Sequence, residues 1–309
     1  MKLLKIFCAI LIVATNALNT QEVYARAISL NEIAQSYKLS LSGNDLVSDW
    51  RILSFKDKAR TFKFDGIPIP IGSSAKLQNG KLYIDDAVLK KSVLPFIVTS
   101  YAKYHKVRTV AIDAGHGGVD DGTKSVFDGT KEKVFCADIC SKLASILKKN
   151  GYKTVLTRPS DKKVELIKRS EIANANKADL FISIHLNSAP NSSVSGTETF
   201  VLTPAGALST YGTKVRTKSF TGNKYDRQNL YLGYLIQKHF QKKIDSGNRG
   251  VKYADFVVLK NIDCPGALIE CGFLSNYAEA EKISSDQHRY EIASTIASAI
   301  IEFDKVCGN

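Results

Sequence analysis

The sequence predicts a layered α/β domain with a mostly parallel central sheet flanked by helices, preceded by a small α+β module. From residue 108 onward, short apolar runs alternate with helical patterns, as in α/β folds. Residues 28–104 instead show shorter, strand-like runs with little helical pattern. The 309 residues, of which 44% are hydrophobic and 24% charged, are enough for one large domain and one small one.

The N-terminus predicts a secretory signal peptide over residues 1–25. Lys2 and Lys5 open the chain, and residues 6–14 are apolar. Val23 and Ala25, or Ala25 and Ala27, supply small residues for cleavage near residues 25 to 27. An uncleaved anchor is less favoured, because the apolar run is shorter than the ~20 residues that a membrane span needs. No other segment could cross a bilayer. The signal peptide predicts export to the periplasm or cell envelope.

The net charge of +13 favours an acidic polymer or surface as a partner. Removal of residues 1–25 would take away two lysines and one glutamate, which leaves the charge near +12. A basic surface that serves solubility alone is the alternative. Nucleic acid is not expected as a partner, because no recognition motif is present and export would separate the protein from it.

The N-terminal module is predicted over residues 28–104. A short helix begins within residues 28–34, and strands are predicted at 50–53, 61–64 and 81–84. The opening at 28–34 and the strand Leu82-Tyr83-Ile84 make the module similar to the small N-terminal domain of copper amine oxidases and bacterial wall proteins. This resemblance implies wall binding, whereas an unrelated α+β spacer is the alternative.

The second domain is predicted over residues 107–305. Strands are expected at 109–113, 154–157, 180–185, 198–202, 256–259 and 267–270, and helices at 132–149, 164–176, 229–243 and 287–303. Between residues 203 and 226 the chain is rich in Gly, Ser, Thr and Lys. Long loops in compact domains are usually functional or mobile, so this segment is a candidate substrate lip.

Metal-binding residue types stand at the ends of the predicted elements. His116 follows the strand at 109–113 in a glycine-rich turn, Glu132 begins a helix, and His185 ends a second strand. Glu270 ends a third strand. Two histidines and one carboxylate can hold zinc with one coordination position left open. No His-Glu-x-x-His motif occurs, so the ligands must be brought together by the fold.

Each of these residues also has an ordinary structural interpretation. His116 could be a turn residue, His185 a core histidine and Glu270 a member of a structural ion pair. Asp113 and Asn187 are candidates for orienting a ligand or contacting the substrate.

The cysteines indicate a buried core rather than a disulfide framework. Cys136 and Cys140 lie four residues apart on a predicted helix, with apolar neighbours at helical spacing. Cys264 and Cys271 flank Glu270 in sequence, and zinc ligation by them is a weaker alternative to the His/Glu set, because they lack the short paired spacing of cysteine sites.

The motifs together resemble the zinc-dependent N-acetylmuramoyl-L-alanine amidases of bacterial cell-wall turnover, the Amidase_3 type. The similar region runs from about residue 107 to 303. It includes Gly115-His116-Gly117-Gly118, Leu156-Thr157-Arg158, Ser183-Ile184-His185-Leu186-Asn187, Gly196-Thr197-Glu198, Arg249-Gly250-Val251 and Ile269-Glu270-Cys271-Gly272-Phe273.

The resemblance implies one Zn²⁺ per chain, with His116, Glu132 and His185 as ligands and Glu270 as the catalytic general base. It implies that the enzyme hydrolyses the amide bond between N-acetylmuramic acid and L-alanine in peptidoglycan. Some members carry a helix over the zinc that an activator protein displaces. Residues 206–224 show no apolar helical pattern of that kind, so an inhibitory helix is not expected here, and whether an activator protein is a partner stays open. The alternatives are a zinc peptidase that acts on the stem peptide and a non-catalytic peptidoglycan-binding protein.

Overall fold

The structure, a computed structural model, describes residues 26–48 and 51–308. The predicted signal peptide at residues 1–25 and the first residue of the predicted strand at 50–53 lie outside the described residues. Within the described ranges, every helix falls short of the length or apolarity that a membrane crossing requires.

The N-terminal part contains two small antiparallel sheets. Strand β1 pairs with β8, which pairs with β7, while β2 to β6 form a five-stranded meander. The helix and the strands predicted at 61–64 and 81–84 are present. The elements are β1 Ala27–Ser29, α1 Leu30–Tyr37, β2 Ser40–Ser42, β3 Asp45–Ser48, β4 Arg51–Ser54, β5 Thr61–Phe64, β6 Ile67–Pro70, β7 Lys76–Gln78, β8 Lys81–Asp85, α2 Asp86–Val88 and, after a π-helical turn at Leu89–Val93, α3 Leu94–Ile97.

Helix α1 begins at a capping box. The Ser29 hydroxyl accepts a hydrogen bond from the Glu32 backbone N–H at 3.2 Å, and the Glu32 carboxylate accepts one from the Ser29 N–H at 2.8 Å. These two bonds satisfy backbone donors that an uncapped helix would leave free, which explains why an eight-residue helix starts where it does.

The second part is a six-stranded mixed sheet with helices on both faces, as predicted for an α/β domain. The strand order is β10-β9-β11-β16-β12-β15. The elements are β9 Thr109–Ala114, α4 Glu132–Lys149, β10 Lys153–Leu156, α5 Leu166–Ala175, β11 Leu180–Asn187, β12 Thr197–Leu202, β13 Ala207–Leu208, β14 Val215–Arg216, α6 Asp226–Lys243, β15 Asn248–Ala254, α7 Val257–Lys260, β16 Gly266–Phe273, α8 Tyr277–Ser284 and α9 Asp286–Cys307.

Strand direction decides which side chains meet. Strands β10, β9, β11 and β16 are parallel, so their carboxyl ends share one edge, whereas β12 and β15 run the opposite way. In the pairing register, His185 on β11 lies beside Glu270 on β16, and Glu270 lies beside Glu198 on β12. Residues paired across strands project from the same face, so these three form a row across the sheet.

The two faces of the sheet pack against different helices. One face, which includes Ile112, Ile184 and Ile269, joins α4, α6 and α9 in the main core. The other face, which includes Phe181 and Leu268, packs on α5 and α7 in a smaller apolar cluster. Because side chains alternate along a strand, His185 and Glu270 also project from this second face, nearer the carboxyl ends of β11 and β16 than Phe181 and Leu268.

The prediction of a strand at 256–259 is wrong. Residues Val257–Lys260 form helix α7, whose buried Val258 and Leu259 pack against the smaller cluster. A short run of β-branched residues fits a buried helix as well as a strand, and periodicity alone does not separate the two. The outermost strand is instead β15, Asn248–Ala254, which the prediction missed because it contains a glycine and two basic residues. Helix α8 was also missed.

The N-terminal part packs closely against α6 and β15. The aromatic rings of Phe64 and Phe96 contact the ring of Tyr234, with ring centroids 5.0 and 5.4 Å apart, and the Tyr234 hydroxyl donates to Asp65 at 2.6 Å. The Ser92 hydroxyl lies 2.9 Å from the Tyr253 hydroxyl on β15. A single apolar core therefore continues from the small sheets into the large domain.

The glycine-rich segment 203–226 is hydrogen-bonded to the N-terminal part and to β15. It contains the hairpin β13–β14 and a 3-10 turn at Thr221–Tyr225, with no α-helix. The Leu208 N–H donates to the Gly72 carbonyl oxygen at 2.7 Å, and Arg60 donates to the Ser209 carbonyl oxygen at the same distance. The segment begins at the sheet edge opposite the carboxyl end of β16, because β12 runs antiparallel to β16. Its exposed Tyr211 reaches Lys252 of β15.

Candidate metal centre and active site

The turn after β9 presents His116 because its neighbours are glycines. His116 has a φ of +61°, in the left-handed region, and is followed by Gly117 and Gly118 at φ +126° and +60°. A Cβ atom at Gly115 would lie 2.5 Å from the ring of His185. A bulkier turn would therefore push the two histidines apart, which explains why glycine is needed beside the histidine.

Glu132 is the first residue of α4 and is buried. Its Oε2 accepts a hydrogen bond from the Thr123 N–H at 3.0 Å, and its Oε1 accepts one from the Leu186 N–H at 3.1 Å. The positive end of the helix dipole also favours a carboxylate at this position. The carboxylate is thus fixed before any metal binds.

His116, Glu132 and His185 meet at one point. Oε1 of Glu132 lies 3.0 Å from Nε2 of His116 and 3.1 Å from Nδ1 of His185. One ligand atom from each residue falls within 4.8 Å of the other two, and this is the group among the described residues that could hold a metal ion. The three residues come from a turn, a helix start and a strand end, as predicted.

The donor set fits zinc. Two imidazoles and one carboxylate with a fourth position left open is a recurring catalytic zinc set, whereas closed structural sites take four protein ligands. The three groups are held together by elements of the rigid fold, which is what a divalent ion in this position requires.

Without a metal, the triad forms a tightly coupled set of charges. The hydrogen bond to Glu132 raises the pKa of His116 to about 9. Burial favours the neutral form of Glu132, but the hydrogen bonds from His116 and His185 outweigh it and lower the pKa of Glu132 to about 2. Burial likewise opposes charge on His185, while Glu132 raises its pKa. A bound cation would take the place of the protons on the histidines.

Asp120, which was not predicted from the sequence, orients His116. Nδ1 of His116 lies 2.9 Å from Oδ1 of Asp120, which also accepts from the Gly122 N–H at 3.2 Å. This partner leaves Nε2 facing Glu132. The i, i+4 spacing of His116 and Asp120 in a glycine-rich turn is the signal that could have identified it.

Asp113 acts on the turn rather than on an imidazole. It is fully buried, pairs with Arg169 at 2.9 Å and accepts from the Ser183 hydroxyl at 2.7 Å. Arg169 in turn donates to the carbonyl oxygens of Ala114 at 2.6 Å and His116 at 2.7 Å. Asp113 therefore fixes the backbone that carries the metal ligand.

Glu270 lies beside His185 in the strand pairing and has an unusual environment. Its Oε2 is buried and has no hydrogen-bond partner among the described residues. Burial raises the pKa of Glu270 to about 7, against a smaller opposing effect of His185. A carboxyl group with a pKa near neutrality next to a metal site is suited to proton transfer.

Glu198 extends the row beyond Glu270. It is buried, and its carboxylate contacts Lys252 at 2.7 Å and Arg249 at 2.9 Å. Asn187 donates from its side-chain amide to Glu198 at 2.7 Å. The structure thus places Asn187 two residues beyond His185 on β11, bound to a carboxylate.

A cleft of about 260 Å³ opens at the metal site. His116, His185 and Asp120 line one part, and Lys163 to Leu166 with Val258 line another. A shallow surface depression continues from it along α5. The cleft gives a ligand access to the metal position.

The prediction that Cys136 and Cys140 are core residues is confirmed. Cys136, Cys140, Cys264, Cys271 and Cys307 are all buried and free. Cys271 and Glu270 are adjacent in a strand and project from opposite faces, so Cys271 joins the main core and cannot reach the metal position. Cys264 precedes the amino end of β16 and is buried in the smaller apolar cluster, whereas the metal group lies at the carboxyl end of that strand, so neither cysteine belongs to the metal group.

Comparison with known proteins identifies the class. The profile of the Amidase_3 family, N-acetylmuramoyl-L-alanine amidase, matches residues 110–302. The N-acetylmuramoyl-L-alanine amidase AmiA of Escherichia coli is 31% identical over 220 residues, covering 63% of this chain and 76% of AmiA. The uncharacterized protein YqiI of Bacillus subtilis is 33% identical over 193 residues, covering 62% of this chain and 83% of YqiI.

Solved structures agree with this match. The catalytic domain of CwlV, an N-acetylmuramoyl-L-alanine amidase from Bacillus (Paenibacillus) polymyxa, is 30% identical with a TM-score of 0.55, covering 64% of this chain and 99% of that one. An N-acetylmuramoyl-L-alanine amidase from Clostridium difficile 630 is 30% identical with a TM-score of 0.54, covering 64% of this chain and 97% of that one.

The chain belongs to the Amidase_3 family of N-acetylmuramoyl-L-alanine amidases. It is a hydrolase that acts on the amide bond between N-acetylmuramic acid and L-alanine in peptidoglycan, with a zinc site at His116, Glu132 and His185. The resemblance noted in the sequence is confirmed.

Proposed function

We propose that Glu270 is the general base of this amide hydrolysis and that the enzyme works outside the cytoplasm, on the cell wall. The observation that carries the role of Glu270 is its buried, unpartnered Oε2 in register with a metal ligand. When bound, zinc would polarise the scissile carbonyl and lower the pKa of a water molecule at the site. Glu270 accepts a proton from the attacking water and gives it to the departing nitrogen of L-alanine.

The neighbours of Glu270 support this role. A buried carboxyl group whose pKa lies near 7 can both take up and release a proton at neutral pH. Asp120 and Glu132 hold the histidines, and Oε2 of Glu270 has no hydrogen-bond partner among the described residues. Asn187 donates one amide hydrogen to Glu198, and we propose that its second amide hydrogen contacts the substrate.

The test compares Glu270→Gln with the wild type on purified peptidoglycan. Zinc content is measured first, and released fragments are analysed by mass spectrometry. The wild type should release free stem peptides that begin with L-alanine, and Glu270→Gln should keep its zinc but lose about 10²- to 10⁴-fold in rate. Glu291→Gln, an exposed change on α9, is the matched control and should behave as the wild type.

Two results would change the assignment. Fragments cut within the stem peptide would favour a zinc peptidase, and zinc binding without any fragments would favour a wall-binding protein or an enzyme that needs an activator protein. A Glu270→Gln variant with full activity would remove Glu270 from the mechanism.

Cellular location and the N-terminal part also belong to the proposal. The predicted signal peptide supports export to the periplasm or cell envelope, which mass spectrometry of the mature N-terminus would test. We further propose that residues 28–104 form a wall-contacting module ahead of the catalytic domain at 107–305. The exposed Lys63, Lys76 and Lys81 support contact with an anionic polymer, and wall-pelleting by a variant with glutamine at all three positions would test it.

A further inference from the structure

The row of side chains that starts at the metal site ends in a pair of cations. His185, Glu270 and Glu198 lie side by side on β11, β16 and β12, and the next strand, β15, supplies Arg249 and Lys252. Neighbouring strands are about 4.8 Å apart, so Glu198 lies about 10 Å from His185 along the row. Arg249 and Lys252 both contact the Glu198 carboxylate, so a substrate that lies across these strands would meet them where the side chain of Glu198 lies, about 10 Å from His185.

The charges at this end do not balance. Glu198 carries one negative charge, and Arg249 and Lys252 carry two positive charges. Lys252 is largely buried, with 10% of its side chain exposed, and is held by Glu198 and by the ring and hydroxyl of Tyr211. Lys252 alone is enough to neutralise Glu198, so Arg249 is the surplus cation.

Arg249 also has unused hydrogen-bonding capacity. Its Nε donates to Glu198 and its guanidinium lies over the ring of Phe273, 5.1 Å from the centroid. Nη1 reaches the Ser195 carbonyl oxygen only at 3.5 Å, and Nη2 has no hydrogen bond among the described residues. About a third of the side chain, 34%, is exposed. Because Nε is held by Glu198, the guanidinium has a fixed orientation, and its terminal nitrogens can bind a carboxylate.

We propose that Arg249 is a specificity-determining residue that binds a free carboxylate of the stem peptide, on the second residue after the scissile bond. This rests on the proposed function. Two extended residues span about 7 Å, and a side-chain or α-carboxylate adds the remaining reach to about 10 Å. Glu198 and Lys252 position the arginine, and its guanidinium packs on the ring of Phe273.

The experiment uses two soluble muramoyl peptides that differ at one group. In one, the second residue is D-glutamate with its α-carboxylate free; in the other, that carboxylate is an amide. We expect the wild type to hydrolyse the free-acid substrate with a kcat/KM about tenfold higher, the effect of one charge-assisted hydrogen bond. In Arg249→Gln this ratio should fall to about one, and Arg249→Lys should retain part of it.

Controls separate selectivity from folding. Arg249→Gln leaves Glu198 paired with Lys252, and its zinc content and circular dichroism are compared with the wild type. Arg108→Gln removes an exposed arginine at the opposite end of the sheet, just before β9, and should keep the tenfold ratio. A wild-type ratio of one, or an Arg249→Gln variant that keeps the wild-type ratio, overturns the proposal. If the wild type releases L-alanyl peptides from neither substrate, the proposed function itself fails.

Discussion

Replacement of Asp113 by asparagine should destabilise the protein by about 3–5 kcal/mol, because it leaves Arg169 as a buried charge without a counter-ion. Both side chains are almost completely buried, and Nη1 of Arg169 lies 2.9 Å from Oδ1 of Asp113. The change also weakens the bonds that Thr157 and Ser183 donate to the carboxylate. Since small domains are stable by only about 5–15 kcal/mol, a loss of this size is readily measured.

The same substitution should weaken zinc binding. Arg169 donates to the His116 carbonyl oxygen at 2.7 Å and so holds a residue whose left-handed backbone costs about 1–2 kcal/mol. If the turn relaxes when Arg169 loses Asp113, zinc binding must restore the left-handed backbone of His116, and this cost weakens the binding. The dissociation constant for zinc should then rise about tenfold, the equivalent of roughly 1.4 kcal/mol.

Urea unfolding of the metal-free protein and a chelator competition titration measure the two effects. Asp286→Asn removes an exposed partner of Lys142 and Arg289 and should cost less than about 1 kcal/mol. The double variant Asp113→Asn, Arg169→Met should cost less than the sum of the single changes, because it removes the stranded charge. A cost below 1 kcal/mol for Asp113→Asn, or strict additivity, would refute the reasoning.

Three further predictions concern the metal site and the core. A Cβ at Gly122 would lie 2.5 Å from Oε2 of Glu132, so Gly122→Ala should lose zinc, whereas Gly129→Ala, at a similar φ but with open space, should retain it; equal zinc contents would contradict this. Glu132 raises the pKa of His116 to about 9, so zinc that binds below pH 9 must displace a proton from His116. The apparent affinity for zinc should therefore rise about tenfold per pH unit from pH 7 toward pH 9. A chelator titration that gives the same affinity at each pH would exclude this coupling. Burial raises the pKa of Cys136, Cys140 and Cys271 well above the usual value, so a thiol reagent should label them only after unfolding, and rapid labelling of the native protein would be inconsistent with the described core.

The sequence by itself determined the class of fold and, together with the family resemblance that its motifs carry, the metal ligands. Ligating residues were recognisable because each stands where a regular element ends, and polar groups at the carboxyl ends of parallel strands meet at one edge. Helix α4 was predicted over 132–149 with the bounds that the structure gives, since its apolar residues recur at helical spacing and Asn150-Gly151 end it. Local patterns of this kind need no knowledge of the rest of the chain.

Only the tertiary structure decided which polar residues act together. Asp120 orients His116, Asp113 pairs with Arg169, and Glu198 pairs with Arg249 and Lys252 across strands of opposite direction. These partners are up to 56 residues apart in the chain, and the direction of β12 and the register of β15 bring the last group together. Pairing register and strand direction arise from packing of the whole sheet, so a one-dimensional pattern does not contain them.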